Sequence, residues 1–289
     1  MTRPPQRATR WRLRTQELHF GSVPLLMGIV NVTPDSFSDG GLFSDAQRAV
    51  DHGLRLAAEG AAILDVGGES TRPYATAVPE SEELQRAIPV VRALCKQASV
   101  PVSIDTTKAR VAQAAIDAGA EIINDVTGLE GDPQMLPLAL TSGAGVCAMH
   151  MQGTPQTMQD APTYKNVVSD VFAYLQQRRD ALLQAGISLE RICLDAGIGF
   201  GKTHQHNLQL LSSCYQFHQL GCALLVGHSR KGFIAHLTRD KEGDRTPGSI
   251  GVALSLARQG VQVLRVHDIQ PVRHALMLFE ATGGMSELR

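Results

Sequence analysis

The chain has 289 residues, 43% hydrophobic and 19% charged, which is enough for the core of one large α/β domain or two smaller ones. Its 27 lysines and arginines are balanced by 28 aspartates and glutamates, so no general basic field exists to bind a nucleic acid or an anionic membrane surface. The sequence also lacks a run of about 18 uncharged apolar residues that could span a membrane.

The amino-terminal segment is rich in arginine but carries no nucleic-acid-binding motif. It lacks the apolar region of a secretory signal, so we expect residues 1–17 to form a short, flexible basic arm before a folded domain at residues 18–289. Its arginines are Arg3, Arg7, Arg10, Arg12 and Arg14.

The 5 cysteines are odd in number and include no C-x-x-C pair, which argues against a disulfide framework or a zinc site. Reduced thiols fit a cytoplasmic protein. We expect Cys147 and Cys193, which fall in predicted strands, to be inert core residues.

Short apolar segments alternate with stretches of helical periodicity along the chain. The predicted strands are residues 25–30, 62–66, 102–105, 121–124, 145–149, 192–195, 223–226 and 261–266. Amphipathic helices lie between them, from a first helix at residues 44–60 to a last one at about residues 270–281. Apolar strands covered by helices indicate a parallel sheet, and eight such units have the size of a single (β/α)8 TIM barrel of the α/β class. A doubly wound sheet remains an alternative, because a single sequence does not reveal the order of the strands.

Polar residues that could bind a substrate or take part in catalysis follow nearly every predicted strand. They are Asn31, Asp65, Asp105, Asn124, His150, Asp195, His228 and His267. Any one of them could cap a helix, but active sites of (β/α)8 barrels are built at the carboxyl ends of the strands. This distribution favours the barrel. The loops at residues 31–43 and 67–81 are unusually long, which is typical of mobile, functional loops.

The segment Ala196 to Thr203 (AGIGFGKT) follows a strand and fits a relaxed P-loop pattern, which would indicate an NTPase. Against this, it lies in the sixth of eight units, and among later strand ends only Asp268 beside His267 could hold Mg²⁺. We prefer a glycine-rich turn that lets a flat ligand approach the backbone. The pair His204 and His206 is expected to be solvated rather than metal-binding.

Whole phrases carry the most specific signal. They are MGIVNVTPDSFSDGG from Met27, DVGGESTRP from Asp65, SID from Ser103, IIND from Ile122, MHMQG from Met149, LDAGIGFGK from Leu194, SRK from Ser229 and RVHD from Arg265. Over roughly residues 18–282 the chain resembles dihydropteroate synthases, in the same phrase order. The resemblance implies a folate-pathway transferase that joins a pterin-methyl diphosphate to 4-aminobenzoate and releases pyrophosphate.

The resemblance also implies a role for particular residues. Those implied to bind the pterin are Asp105, Asn124, Met149, Asp195, Phe200 and Lys231. Those implied to bind the diphosphate are Asn31, Thr71, Arg72, Arg265 and His267, with Mg²⁺ bridging phosphate oxygens and Asn31 as its protein ligand. Those implied for 4-aminobenzoate are Phe37, Pro73 and Ser229, with the stem of Lys231. The residues expected to act in catalysis are Asp105, Lys231, Arg72 and His267.

Some positions depart from the family pattern. Tyr74 stands where Gly is usual, Ala196 where Pro is usual and Ile198 where Phe is common, while His228 precedes Ser229. These departures put 4-aminobenzoate affinity and sulfonamide sensitivity in question.

The resemblance implies a homodimer, and an apolar stripe on the last helices is compatible with it. A pterin-binding methyltransferase and a non-catalytic paralogue remain alternatives, although the Thr71–Arg72 phrase argues against the first.

Overall fold

The structure is a computed structural model and describes residues 7–32 and 41–285. Within these residues the strands are β1 Arg10–Arg12, β2 Glu17–His19, β3 Leu25–Asn31, β4 Ile63–Gly67, β5 Val102–Asp105, β6 Ile122–Asp125, β7 Gly145–Met149, β8 Ile192–Asp195, β9 Ala223–Gly227 and β10 Val263–Val266. The helices are α1 Gly41–Glu59, α2 Glu80–Gln97, α3 Ala109–Ala118, α4 Met135–Ser142, α5 Val167–Gln184, α6 His204–Ser212, α7 Gly232–Thr238, α8 Thr246–Arg258 and α9 Ile269–Ala281.

Strands β3 to β10 close into a barrel in which every neighbouring pair is parallel. The last strand pairs with the first, since Val263 is in register with Leu25. This closure confirms the (β/α)8 barrel and excludes the doubly wound sheet. The strands form where the sequence is apolar, and most of their residues are buried because helices cover the outer face.

The amino-terminal residues differ from the expected flexible arm. Strands β1 and β2 pair in antiparallel fashion, and the side chains of Trp11 and Leu13 are buried against barrel residues such as Met27. The indole N–H of Trp11 donates to the carbonyl of Arg191, 3.0 Å away. Burial of these apolar groups orders the segment, which corrects the expectation for residues 7–17; residues 1–6 lie outside the described residues.

The helices follow the predicted pattern with small shifts. Helix α1 begins at Gly41 rather than at Ser44, and α3 is followed by Gly119, whose φ of 113° gives the left-handed cap that glycine favours. On α9, Leu276 is buried while Leu278 is exposed, so the expected apolar stripe is only partly on the surface. Within the described residues no helix is long and apolar enough to cross a membrane.

Candidate active site

The carboxyl ends of the barrel strands bring the predicted polar residues to one mouth. Asp105 is in register with Gly67 on one side and with Asn124 on the other. Met149 is in register with Asp195 in the same way. Residues far apart in sequence therefore share one edge of the barrel because every strand runs in the same direction.

An arginine between two aspartates organises one side of the mouth. The Nε of Arg265 donates to Asp65 Oδ2 at 2.6 Å, and its Nη2 donates to Asp105 Oδ2 at 2.8 Å. The side-chain amide of Asn124 also donates to Asp65 Oδ2, at 3.1 Å. Asp65 is fully buried, and its other oxygen has no hydrogen-bond partner within the described chain. The network fixes the guanidinium in the centre of the mouth.

Asp65 is a site residue for which neither the residue pattern nor the resemblance implied a role. It appeared only as one of several polar residues at strand ends. Its pairing with Arg265 joins positions 200 residues apart, so no local pattern could have revealed it. The proximity of two carboxylates also matters for Asp105: burial raises the pKa of Asp105 to about 7, Arg265 opposes this rise and Asp65 adds to it.

A second cluster joins Asp195, Phe200 and Lys231. The ammonium of Lys231 lies 4.5 Å from the centre of the Phe200 ring and donates to the carbonyl of Ile198. Asp195 Oδ1 accepts a hydrogen bond from the backbone N–H of Gly197 at 2.7 Å, which turns the loop after β8 inward. Burial lowers the pKa of Lys231 to about 8, and the charge of Asp195 opposes this shift.

His267, just after β10, and Ser229, just after β9, form a third group at the mouth. The Ser229 hydroxyl lies 3.1 Å from His267 Nδ1 and accepts the backbone N–H of His267 at 3.3 Å. Burial, together with Arg265 and Arg230, lowers the pKa of His267 to about 4, so its imidazole is neutral near pH 7. If Ser229 donates to Nδ1, the proton of the ring is on Nε2, available to an anion.

The second long loop is anchored at its base. Glu69 accepts the N–H of Val78 at 2.9 Å with one oxygen and the ammonium of Lys108 at 2.6 Å with the other. Lys108 also pairs at 2.5 Å with Glu83, which is fully buried on α2. The exposed Arg72 lies in this loop, close enough to His267 to contribute to the lowering of its pKa.

The tip of this loop reaches the loop after β7, and Tyr74 makes the contact. Its N–H donates to the carbonyl of Pro155 at 3.0 Å, and its hydroxyl donates to Asp160 at 3.2 Å. The φ of Tyr74 is 63°, in the left-handed region that favours glycine. This conformation gives a physical reason for the glycine that the family pattern has here, and the two hydrogen bonds offset the strain in this chain.

The P-loop interpretation fails on geometry. Lys202 is only 2% exposed, and its ammonium donates to the carbonyls of His150 and Phe200 rather than facing an open phosphate site. Thr203 caps α6, where its hydroxyl accepts the N–H of His206. A Cβ at Gly197 would overlap the carbonyl oxygen of His150, so this glycine serves close packing between two loops.

The remaining predicted residues are less tightly joined. Pro73 is exposed on the second loop, Thr71 is half-buried, and Asn31 lies at the end of β3 in register with Gly67. Phe37 lies outside the described residues. His204 stacks on His236 with ring centres 4.3 Å apart. In the part of the chain that the structure describes, no group of three or more His, Cys, Asp or Glu side chains could hold a metal ion.

Comparison with known proteins identifies the chain's relatives. The family described as "Pterin binding enzyme" matches residues 27–267. The dihydropteroate synthase of Escherichia coli (strain K12) is 46% identical over 266 residues, which cover 92% of this chain and 94% of that protein. The chain belongs to the dihydropteroate synthase family. This confirms the relationship inferred from the sequence phrases.

Solved structures of the family superpose on nearly the whole chain. Yersinia pestis dihydropteroate synthase in complex with a sulfonamide drug aligns with a TM-score of 0.88 at 42% identity, covering 95% of this chain and 99% of that one. Xanthomonas albilineans dihydropteroate synthase with 4-aminobenzoic acid aligns with a TM-score of 0.89 at 45% identity, covering 95% and 98%. The barrel predicted from the sequence is thus the fold of the family.

Proposed function

We propose that this chain condenses (7,8-dihydropterin-6-yl)methyl diphosphate with 4-aminobenzoate to form 7,8-dihydropteroate and pyrophosphate, a step of folate biosynthesis. The observation that supports it best is the mouth of the barrel, where buried carboxylates and an amide stand beside Arg265, Lys231 and His267. Such a site matches a flat polar heterocycle at one end and an anionic leaving group at the other.

The pterin edge presents N–H donors that need acceptors out of water. Asp195 is a buried acceptor and Asp105 a partly buried one, and Asn124 offers both a donor and an acceptor. Lys231 donates toward the ring carbonyl, while Phe200 and Met149 supply apolar walls. The cation–π contact holds Lys231 against Phe200, so the two side chains are positioned together for contact with the pterin.

The diphosphate end is assigned to Arg72, Arg265, His267, Thr71 and Asn31. Arg265 has its Nε and Nη2 on two aspartates, so Arg72 is the more mobile of the two cations and the better candidate to follow the leaving pyrophosphate. His267 is neutral near pH 7, and with Ser229 donating to Nδ1 its Nε2–H can donate to a phosphate oxygen.

The donor set fits Mg²⁺ only in part, which agrees with how this ion binds phosphate substrates. Asn31 is a single amide oxygen donor at the mouth, and Mg²⁺ usually keeps several waters and takes most ligands from phosphates. Bound there with the substrate, Mg²⁺ would neutralise charge on the leaving diphosphate. Asn31 would orient the phosphate end from the first strand.

Substitution occurs at the exocyclic methylene of the pterin. The C–O bond to diphosphate breaks, the electron pair leaves with pyrophosphate, and the resulting cation is delocalised into the dihydropterin. Asp105 stabilises that positive charge, and the aryl amine of 4-aminobenzoate then forms the C–N bond and loses a proton. Phe37, Pro73 and Ser229 are assigned to this second substrate, so no protein nucleophile is needed.

Three further properties belong to this proposal. We place the enzyme in the cytoplasm, which suits its five unpaired cysteine thiols. We infer a homodimer through the last helices, where Met277 and Leu278 expose apolar surface. Sulfonamides, which mimic 4-aminobenzoate, should compete with it here, with an affinity that depends on Tyr74 at the loop tip.

Pyrophosphate release from purified protein tests the proposal directly. With pterin-methyl diphosphate, 4-aminobenzoate and Mg²⁺ supplied, dihydropteroate should accumulate in the same amount as the pyrophosphate released. Asp195→Asn should lose this activity, whereas Asp117→Asn should keep it, because Asp117 lies on α3 and contacts Gln113. Absence of dihydropteroate with both substrates and Mg²⁺ present, or no release under any condition, would contradict the proposed reaction.

A further inference from the structure

Lys202 is a buried lysine whose role the reaction does not explain. Its side chain is almost completely enclosed, yet its hydrogen bonds within the described chain go to no carboxylate. The acceptors are His150 Nδ1 at 3.0 Å, the His150 carbonyl at 3.3 Å and the Phe200 carbonyl at 2.9 Å. Three hydrogen-bond partners thus surround Nζ, while burial lowers the pKa of Lys202 well below its usual value and the charge of Asp195 opposes this shift.

These acceptors belong to two different loops. His150 directly follows β7, and its N–H continues the sheet by donating to the carbonyl of Asp195 at 3.0 Å. Phe200 lies in the loop after β8. Lys202 therefore bridges the loops after the fifth and sixth barrel strands, and it binds them through main-chain carbonyls as well as a ring nitrogen.

His150 is held so that it can serve as an acceptor. The ring of Tyr174 meets it edge-on with centres 4.8 Å apart, and Tyr164 packs at 6.0 Å. Burial and the charge of Lys202 lower the pKa of His150 to about 3, which keeps the imidazole neutral and leaves a lone pair for the ammonium.

The backbones of the two loops also pack closely against each other. A Cβ at Gly197 would overlap the carbonyl oxygen of His150, and one at Gly201 would overlap that of Gln152. Tyr164 adds a hydrogen bond from its hydroxyl to the Gly201 carbonyl at 2.7 Å. The glycine-rich segment thus receives protein carbonyls where a P-loop would receive phosphate.

We propose that Lys202 is a positioning residue for the pterin pocket: by joining the two loops it fixes Phe200, and through Phe200 it fixes Lys231 relative to Asp195. Phe200 is held at its carbonyl by Lys202 and at its ring by Lys231. This inference rests on the proposed assignment of Asp195, Phe200 and Lys231 to the pterin.

Lys202→Met tests the inference because methionine keeps much of the volume and removes the donors. Calorimetry with pterin-methyl diphosphate, without 4-aminobenzoate, should give at least a tenfold weaker pterin Kd. The KM for 4-aminobenzoate at saturating pterin should change less than the pterin Kd does, because that substrate shares only the stem of Lys231 with this cluster and is otherwise assigned to Phe37, Pro73 and Ser229. A general loss of structure would not separate these two constants.

Arg191→Met is the matched control. Arg191 is also a buried cation that donates to carbonyls, those of Ala139 and Ala144, but it lies at the start of β8, at the opposite end of the barrel. It should lower Tm while leaving the pterin Kd within twofold of the wild-type value. Equal weakening of pterin binding in both variants would refute a local positioning role.

Two more variants keep the test decisive. If Lys202→Met does not fold, His150→Phe removes one acceptor while retaining a ring against Tyr174, and it should weaken pterin binding three- to tenfold. Wild-type pterin affinity in a folded Lys202→Met or in His150→Phe, with affinity lost in Asp195→Asn, would overturn the inference alone. Wild-type affinity in Asp195→Asn would instead overturn the pocket assignment.

Discussion

Replacing Asp65 by asparagine should change how pterin binding depends on pH. The ionised Asp105 accepts the pterin N–H groups more strongly than the protonated form does, so the affinity of the wild-type protein should fall as pH drops through about 7, where Asp105 becomes protonated. Asp65 raises the pKa of Asp105 and shares Arg265 with it. In Asp65→Asn both effects lower the pKa of Asp105.

The expected magnitude follows from the shared guanidinium. Two carboxylate oxygens bound to neighbouring nitrogens of one guanidinium lie roughly 5 Å apart, and unit charges at that distance interact by about 3 kcal/mol at an effective dielectric constant of 20. This energy corresponds to about two pKa units. Relaxation of the surrounding protein reduces this energy. The pH at which pterin affinity falls on the acid side, here called the acid limb, should therefore move down by about one to two units.

Stability should fall in the same variant. Asp65 is fully buried, and removal of one partner from a buried ion pair costs about 3–5 kcal/mol. Since Arg265 keeps Asp105, we expect the lower end of that range, measured as a loss in the free energy of unfolding in urea.

Calorimetric titration of pterin-methyl diphosphate between pH 5.5 and 9 measures the limb. Asp125→Asn is the matched control: Asp125 is also buried and raises the pKa of Asp105 less than Asp65 does, so its limb should move by less than about half a unit. Asp105→Asn should abolish the limb. A limb that stays at its wild-type pH in Asp65→Asn, or moves upward, would refute the reasoning.

Three other outcomes are expected. Trp11→Ala should lower the free energy of unfolding by about 3–5 kcal/mol, because it empties a fully buried site under the barrel; a loss below about 1 kcal/mol would mean that the hairpin contributes little. Asp195→Asn and Lys231→Ala should each weaken pterin binding by about 2–4 kcal/mol in calorimetry, and unchanged affinity would disprove the pocket. Titration of 4-aminobenzoate should show at least about tenfold tighter binding, about 1.4 kcal/mol, once pterin, pyrophosphate and Mg²⁺ are bound. Arg72→Ala should remove that gain, and equal affinities in the two titrations would exclude ordered binding through the loops.

The barrel could be predicted because its signals are local. A strand such as Leu25–Asn31 is apolar until its last residue, and a polar group then marks the end that faces the mouth. Helix α3 ends where Gly119 permits a left-handed turn. Each of these features depends on neighbouring residues, so periodicity and turn chemistry suffice to locate it.

The partners within the site could not be predicted in this way. The resemblance implies a diphosphate role for Arg265 and none for Asp65, yet the two residues pair from the strands on either side of β3. The hairpin was missed for another reason: arginines flank Trp11 on both sides, and three-residue strands are too short for periodicity to stand out. The alternation of Trp11 and Leu13 with charged residues was the available signal.

The glycine-rich segment after β8 illustrates what residue spacing leaves undetermined. Glycines predict that something approaches the backbone closely, but they do not specify whether it is a phosphate, a flat ligand or another loop. At Gly197 and Gly201 the approaching groups are protein carbonyls. Lys202 then lies under the loop, where a P-loop lysine would face a nucleotide. A motif therefore predicts a geometric requirement, and the fold determines which group meets it.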